Sequence, residues 1–171
     1  MTPADNSGPR KRSEYFVELE GVTLAYGRGE KQVKALGLTD LKLQQGDFRT
    51  DPIGKEYDII IAGLTLHHLT WEERENFYQT LYAALNQGGL FLARDVIIDE
   101  DQSVVQAQYS SWKEFMGSQG EDPELWYSKH IEKDHPMTLS DHFAWLRKAG
   151  FSKVACHWRL YNFAITTAEK A

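Results

Sequence analysis

A single cysteine, Cys156, occurs in 171 residues. No internal disulfide can form, and a reducing compartment is the expected setting. No apolar run approaches the roughly 20 residues that a membrane span requires. The N-terminus shows no apolar core of a signal peptide. Positive charge is in deficit, with 19 Lys and Arg against 25 Asp and Glu and a net charge of −6. That balance argues against nucleic acid as the main partner. The one basic cluster, Gly8-Pro9-Arg10-Lys11-Arg12, sits in a terminal stretch where a solvated tail is the ordinary outcome. Internal repeats are absent. A cytoplasmic protein is expected, with no membrane and no nucleic-acid partner.

What is present suits one packed domain. Five Trp, eight Tyr and eight Phe are enough to build a core. Residues 1–13 are polar and rich in Gly, Pro and charge, and read as a disordered tail. A single domain is expected over 14–171. Tyr15 to Glu20 alternates in polarity, as a strand does. Leu24 to Leu36 reads as a weak helix, with Gly27 and Gly29 each costing about 1 kcal/mol in its interior. Leu41 to Leu43 is a short strand running into Gly46-Asp47-Phe48.

The stretch from Gly46 to Val96 is the most organised. Tyr57 to Ile61 is a continuous apolar run, the pattern of a strand buried on both faces. Thr70-Trp71-Glu72-Glu73 is a capping box. It opens a helix over 71–86 with Phe77, Leu81, Ala84 and Leu85 on one face, closed by Gly88. Leu90 to Ile98 is a second buried strand. Strand, helix and strand in this order form a parallel crossover unit. Further on, Val105, Tyr109, Trp112 and Met116 mark an amphipathic helix over 102–118. A short helix is expected around Leu125 to Ile131. Thr138-Leu139-Ser140-Asp141 caps another that carries Phe143, Leu146 and Ala149 inward and stops at Gly150. Residues 153–158 and 162–167 read as a terminal antiparallel pair.

The phrases YDIIIAGLTLHHL and GGLFLARDV, with ALGLTDLKLQQGDF before them, resemble the second half of the class I S-adenosylmethionine-dependent methyltransferases. The resemblance covers about residues 16–167. It implies an α/β, Rossmann-like, doubly wound and mostly parallel sheet with an antiparallel C-terminal hairpin. It also implies S-adenosylmethionine as cofactor and a small-molecule methyl acceptor. The family's glycine-rich first loop has no counterpart here, so the first strand–helix unit is missing or degenerate. Either YFVELE is the second strand, or Val17-Glu18-Leu19-Glu20-Gly21 is a degenerate first-strand motif. A sheet short of a strand has unpaired backbone to cover, so a homo-oligomer is expected. The alternatives are a methyltransferase-like binding or oligomerisation protein without catalysis, and a fragment completed by another chain.

By the same resemblance, the cofactor-binding positions are Glu20 for the ribose hydroxyls, Gly46, Asp47 and Phe48 for the adenine, and Ala62, Gly63 and Leu64 beside the sulfonium. Cofactor binding is expected to be weak or lost, because the loop for the methionine end is not visible. His67, His68, Tyr109 and Trp112 are the candidate acceptor-pocket residues, and no catalytic residue is assigned beyond His68 as a candidate general base. The bland reading of the histidine pair is one buried, hydrogen-bonded ring and one at the pocket rim. No metal site is expected. Adjacent histidines do not ordinarily converge on one ion, and His130, His135, His142 and His157 show no zinc spacing.

Overall fold

A computed structural model describes residues 46–171 throughout, and before them the backbone of the strand segments 16–20, 25–26, 33–34 and 42–45. The tail expected over 1–13 lies outside the described residues. The chain divides into two compact units at Ile53/Gly54, inside the stretch read as one domain.

In the first unit, β1 (Phe16–Glu20) pairs antiparallel with β4 (Lys42–Gly46), and β2 (Ala25–Tyr26) pairs antiparallel with β3 (Val33–Lys34). The weak helix expected over 24–36 therefore gives way to two short strands.

The second unit is a mixed sheet with helices. Its strands run in the order β5 (Tyr57–Gly63), β6 (Leu85–Ile98), β9 (Phe163–Glu169) and β8 (Ser152–Leu160), with β7 (Met137–Thr138) also pairing β6. The β5–β6 and β6–β7 pairings are parallel, and the β6–β9 and β8–β9 pairings are antiparallel. The terminal hairpin inserts β9 beside β6, which makes this sheet mixed rather than mostly parallel. The architecture is the expected α/β, Rossmann-like one.

Helix α1 (Trp71–Ala84) links β5 to β6, and its capping box is complete: Thr70 Oγ1 accepts from Glu73 N at 3.3 Å while Thr70 N donates to Glu73 Oε2 at 2.8 Å. The helix ends at Ala84, before the expected stop at Gly88, because Leu85 already takes extended dihedrals. Between the Tyr57↔Leu85 and Ile59↔Leu90 pairs the β6 side carries extra residues, and Gly88 takes φ +77 within that bulge. Helices α2 (Gln102–Ser118), α3 (Pro123–Lys133) and α4 (Leu139–Lys148) follow.

The core lies between β6 and the α1 and α4 helices, where Tyr78, Leu81, Phe91, Leu146 and Phe151 are buried. On β6, Phe91, Ala93, Asp95 and Ile97 are buried in strict alternation, so this strand buries one face, not the two its apolar run suggested. The β5 run departs further from expectation. Only Ala62 is buried, and Ile59 and Ile61 are 58% and 52% exposed. The strand stands at the end of the described sheet order, and its exposed isoleucines show that its faces are not enclosed by the described residues.

Candidate functional site

Asp95 places a carboxylate on the buried face of β6, and the turn after β5 folds over it. Leu66–His68 forms a short 3-10 turn, whose first N–H groups need acceptors. Asp95 Oδ2 accepts from Thr65 N at 3.3 Å and also from Leu66 N, while Oδ1 receives Val96 N at 2.7 Å and the His67 ring through Nδ1. Burial resists ionisation of this carboxyl. The bond from His67, its charge and the backbone donors prevail and hold Asp95 below the ordinary carboxylate range.

A second carboxylate meets the histidines from the other side. Asp134 follows α3, whose N-terminus is capped by Asp122 with Pro123 in the first turn. Its Oδ1 is 2.8 Å from His68 Nδ1, its Oδ2 is 2.7 Å from His130 Nδ1, and that same oxygen lies 4.0 Å from His67 Nε2. Burial again works against ionisation, and the His130 and His68 bonds with the neighbouring imidazole charges hold Asp134 well below the usual range. His130 Nε2 is 3.1 Å from the Tyr109 hydroxyl, and the Trp112 ring stands 5.6 Å from the His130 ring. The chain past α3 is pinned to the turn, because His135 N donates to His67 O.

Arg74 locks this junction from α1. Its Nη2 donates to Leu66 O at 2.7 Å, Leu69 O at 3.1 Å and His135 O at 2.6 Å, and the side chain is 2% exposed. Burial lowers the Arg74 pKa from its ordinary value. Behind it lies a small cavity lined by His67, Arg74, Tyr78, Asp95, His142 and Thr166. There, Tyr78 Oη is 2.6 Å from His142 Nδ1 and Thr166 Oγ1 is 2.9 Å from His142 Nε2. The junction therefore offers two carboxylates and several imidazoles at one end of the parallel strand pair, where ligands bind in open α/β sheets.

Comparisons with known proteins bear on the fold. No family model matches the chain. A carboxy-S-adenosyl-L-methionine synthase of Shewanella sp. (strain W3-18-1) is 28% identical over 135 residues, 77% of this chain and 55% of that protein. The tetracenomycin polyketide synthesis 8-O-methyl transferase TcmO of Streptomyces glaucescens is 29% identical over 126 residues, 73% of this chain and 33% of that one. Among solved structures, human N-acetylserotonin methyltransferase in complex with SAM aligns over 75% of this chain and 33% of its own, with TM-score 0.56 and 21% identity. The apo form of the methyltransferase SibL aligns over 74% and 35%, with TM-score 0.53 and 16% identity. The chain has the class I S-adenosylmethionine-dependent methyltransferase fold and is related in sequence to that family. It spans about half the length of the synthase and a third of the methyl transferase it matches.

Of the residues expected in an acceptor pocket, His67, His68, Tyr109 and Trp112 converge through His130 and Asp134. His67 is buried, while the His68 side chain is 52% exposed. Their rings lie 4.0 Å apart, and one donor atom each from His67, His68 and Asp134 falls within 4.8 Å of the others. The donor atoms of the adjacent histidines thus lie closer together than the spacing alone suggests. A tight 3-10 turn replaces an α-helix here, and Asp134 arrives from a distant segment to face both rings. Beside the methyl-end positions, Ala62 is buried and Leu64 N donates to Arg94 O at 2.8 Å with Leu64 at φ +54. A Cβ on Gly63 would meet nothing within 4 Å, so the space beside it is open.

The adenosine-end positions belong to the first unit. Glu20 closes β1 opposite Lys42, and its side chain lies outside the described residues. Asp47 is engaged by Arg49, with Nε 2.9 Å from Oδ1 and Nη2 2.7 Å from Oδ2, and the Arg49 bond holds its carboxyl below the ordinary range. A Cβ on Gly46 would sit 2.7 Å from Asp51 Oδ2, so the Asp51 carboxylate would have to shift to admit a side chain. Phe48 is half-buried in the same turn.

Asp95, Asp134, His130, Arg74 and His142 were not singled out from sequence. Asp95 carried a signal, as a lone acid inside an apolar strand run, and the His130/Asp134 spacing of i and i+4 was another. Arg74 and His142 sit on α1 and α4, and their spacing did not mark them as buried.

Proposed function

We propose that the protein transfers a methyl group from S-adenosylmethionine to a small-molecule acceptor. The observation that supports this most directly is the polar junction at the end of the β5–β6 parallel pair, in a chain similar to a methyl transferase and a carboxy-S-adenosyl-L-methionine synthase. By the family resemblance, Glu20, Gly46, Asp47 and Phe48 are the candidate adenosine positions and Ala62, Gly63 and Leu64 the candidate sulfonium positions, each set taken within its own unit. The open space beside Gly63 fits a close approach. Asp47 fits less simply, since an adenine amino group would share its carboxylate with Arg49. The cofactor supplies an activated methyl. The chain supplies position and, for a hydroxyl acceptor, a base. His68, oriented by Asp134, is the candidate base.

Calorimetric titration tests this reading. Weak binding of S-adenosylhomocysteine and adenosine with similar affinity is expected, and Glu20→Ala and Asp47→Ala should each weaken both. Submicromolar S-adenosylhomocysteine binding without adenosine binding would show that the methionine end is gripped. Absence of heat with S-adenosylmethionine, S-adenosylhomocysteine and adenosine alike would favour a methyltransferase-like protein without cofactor.

A second copy of the chain is the proposed occupant of the β5 edge. Ile59 and Ile61 stand more than half exposed on a strand that ends the described sheet order. Light scattering at tens of micromolar should show a dimer or larger species that Ile59→Asp/Ile61→Asp breaks, and a monomer in the unaltered protein would overturn it. No described helix is long and apolar enough to cross a membrane, and the lone Cys156 fits a reducing, cytoplasmic setting.

A further inference from the structure

We propose that His67, His68 and Asp134 form a binding site for a divalent first-row transition ion, zinc or a metal of similar ligand preference. Two imidazoles and one carboxylate are the donor set such ions favour over calcium or magnesium.

The geometry fits one small cation. Metal–nitrogen and metal–oxygen bonds of about 2.0–2.2 Å put the ligand atoms of a tetrahedral site roughly 3.4 Å apart. The structure shows 2.8 Å from His68 Nδ1 to one Asp134 oxygen, Oδ1, and 4.0 Å from His67 Nε2 to the other, Oδ2. One donor atom from each residue falls within 4.8 Å of the others, so the widest pair needs at most roughly 1.4 Å of closure. His68 is exposed on one side and can supply that movement.

The supporting shell is already in place. His67 holds Asp95 through Nδ1. A neutral ring that donates from Nδ1 carries its lone pair on Nε2, and Nε2 faces the Asp134 carboxylate. In that tautomer an ion seated between them would be held by both groups. The Asp95–His67 pair has the carboxylate–histidine arrangement that orients and strengthens metal-bound imidazoles. Asp134 is oriented in turn by His130, and His130 by Tyr109. Arg74 fixes the carbonyls of both segments that carry the ligands. With three protein donors and an exposed rim, the ion would keep an open position for water or an acceptor oxygen.

Metal binding at this site does not depend on methyl transfer, and a His68 that holds an ion is not the base of that reaction; ion binding would remove that one role and leave cofactor binding to its own test. The experiment is titration of chelator-treated, metal-free protein with Co2+, read by its visible d–d absorption, and with Zn2+, read by the rise in Tm. A signal saturating at one ion per chain is expected. His68→Ala and Asp134→Asn should weaken it at least tenfold, and Asp95→Asn by roughly 10- to 100-fold as an outer-shell loss. His157→Gln, on β8 and outside the cluster, should bind as the unaltered protein does. Because His68 is exposed, its variant remains folded and keeps the test decisive even if the buried variants do not fold. Absence of d–d absorption and of any Zn2+-induced Tm shift would overturn the proposal. So would binding that is indifferent to His68→Ala, or a proton on His67 Nε2, seen by 15N NMR, that Zn2+ does not displace.

Discussion

Acidification should destabilise this protein through one buried histidine before its carboxylates titrate. His142 is 5% exposed, and burial pushes its pKa down to about 4 from an ordinary 6.5. Asp95 nearby favours the charged ring, Arg74 opposes it, and burial exceeds both. The structure shows why protonation is costly. Tyr78 Oη lies 2.6 Å from Nδ1 and Thr166 Oγ1 lies 2.9 Å from Nε2. An imidazolium would donate at both nitrogens, so the Tyr78 hydroxyl proton would have to turn away inside a fully buried pocket. Between pH 6.5 and about 4 the unfolded chain binds a proton at this position that the folded chain refuses. Stability is therefore fully present above about pH 6.5 and falls as pH drops toward 4. A gap of about 2.5 pH units corresponds to roughly 3 kcal/mol at 1.36 kcal/mol per unit. That is a large share of the 5–15 kcal/mol typical of a domain. Asp95 and Asp134, held below their ordinary range, should lose their contribution only below about pH 4. Urea unfolding across this pH range should show the decline in the unaltered protein and a flattened profile in His142→Gln, which starts lower at neutral pH. Equal slopes in the two proteins would refute the assignment to His142.

Arg74→Met should cost about 2 kcal/mol or more in urea unfolding, because it removes the guanidinium bond to the Leu69 and His135 carbonyls and one of the two donors on Leu66 O, which keeps Leu69 N. A loss below about 1 kcal/mol would mean water replaces the guanidinium without penalty. Thr70→Ala should cost about 1 kcal/mol by opening the capping box with Glu73, read as a lowered Tm and earlier fraying of α1 in hydrogen exchange. Leu146→Ala, at a position with no exposure, should cost about 2–5 kcal/mol in the same denaturation assay.

Local chemistry was legible in the residues. The capping box of α1, the span of α2, and the existence of β5, β6 and the terminal hairpin follow from periodicity and short-range hydrogen bonding, which are written in neighbouring positions. The polar acceptor-side residues His67, His68, Tyr109 and Trp112 were also visible as candidates. Other features depended on distant parts of the chain. The isoleucines of β5 looked doubly buried because an apolar run records hydrophobicity and says nothing of which strand lies beside it. The residues at 24–36 suggested a helix, yet β2 and β3 pair there, since a ladder partner outweighs weak helical propensity. Above all, Asp95, Asp134 and His130 come from three separate segments, and no spacing in the chain announces that they will surround one histidine pair. Sequence decides which side chains can donate or accept, and the packing of α3 against the turn after β5 decides which of them meet.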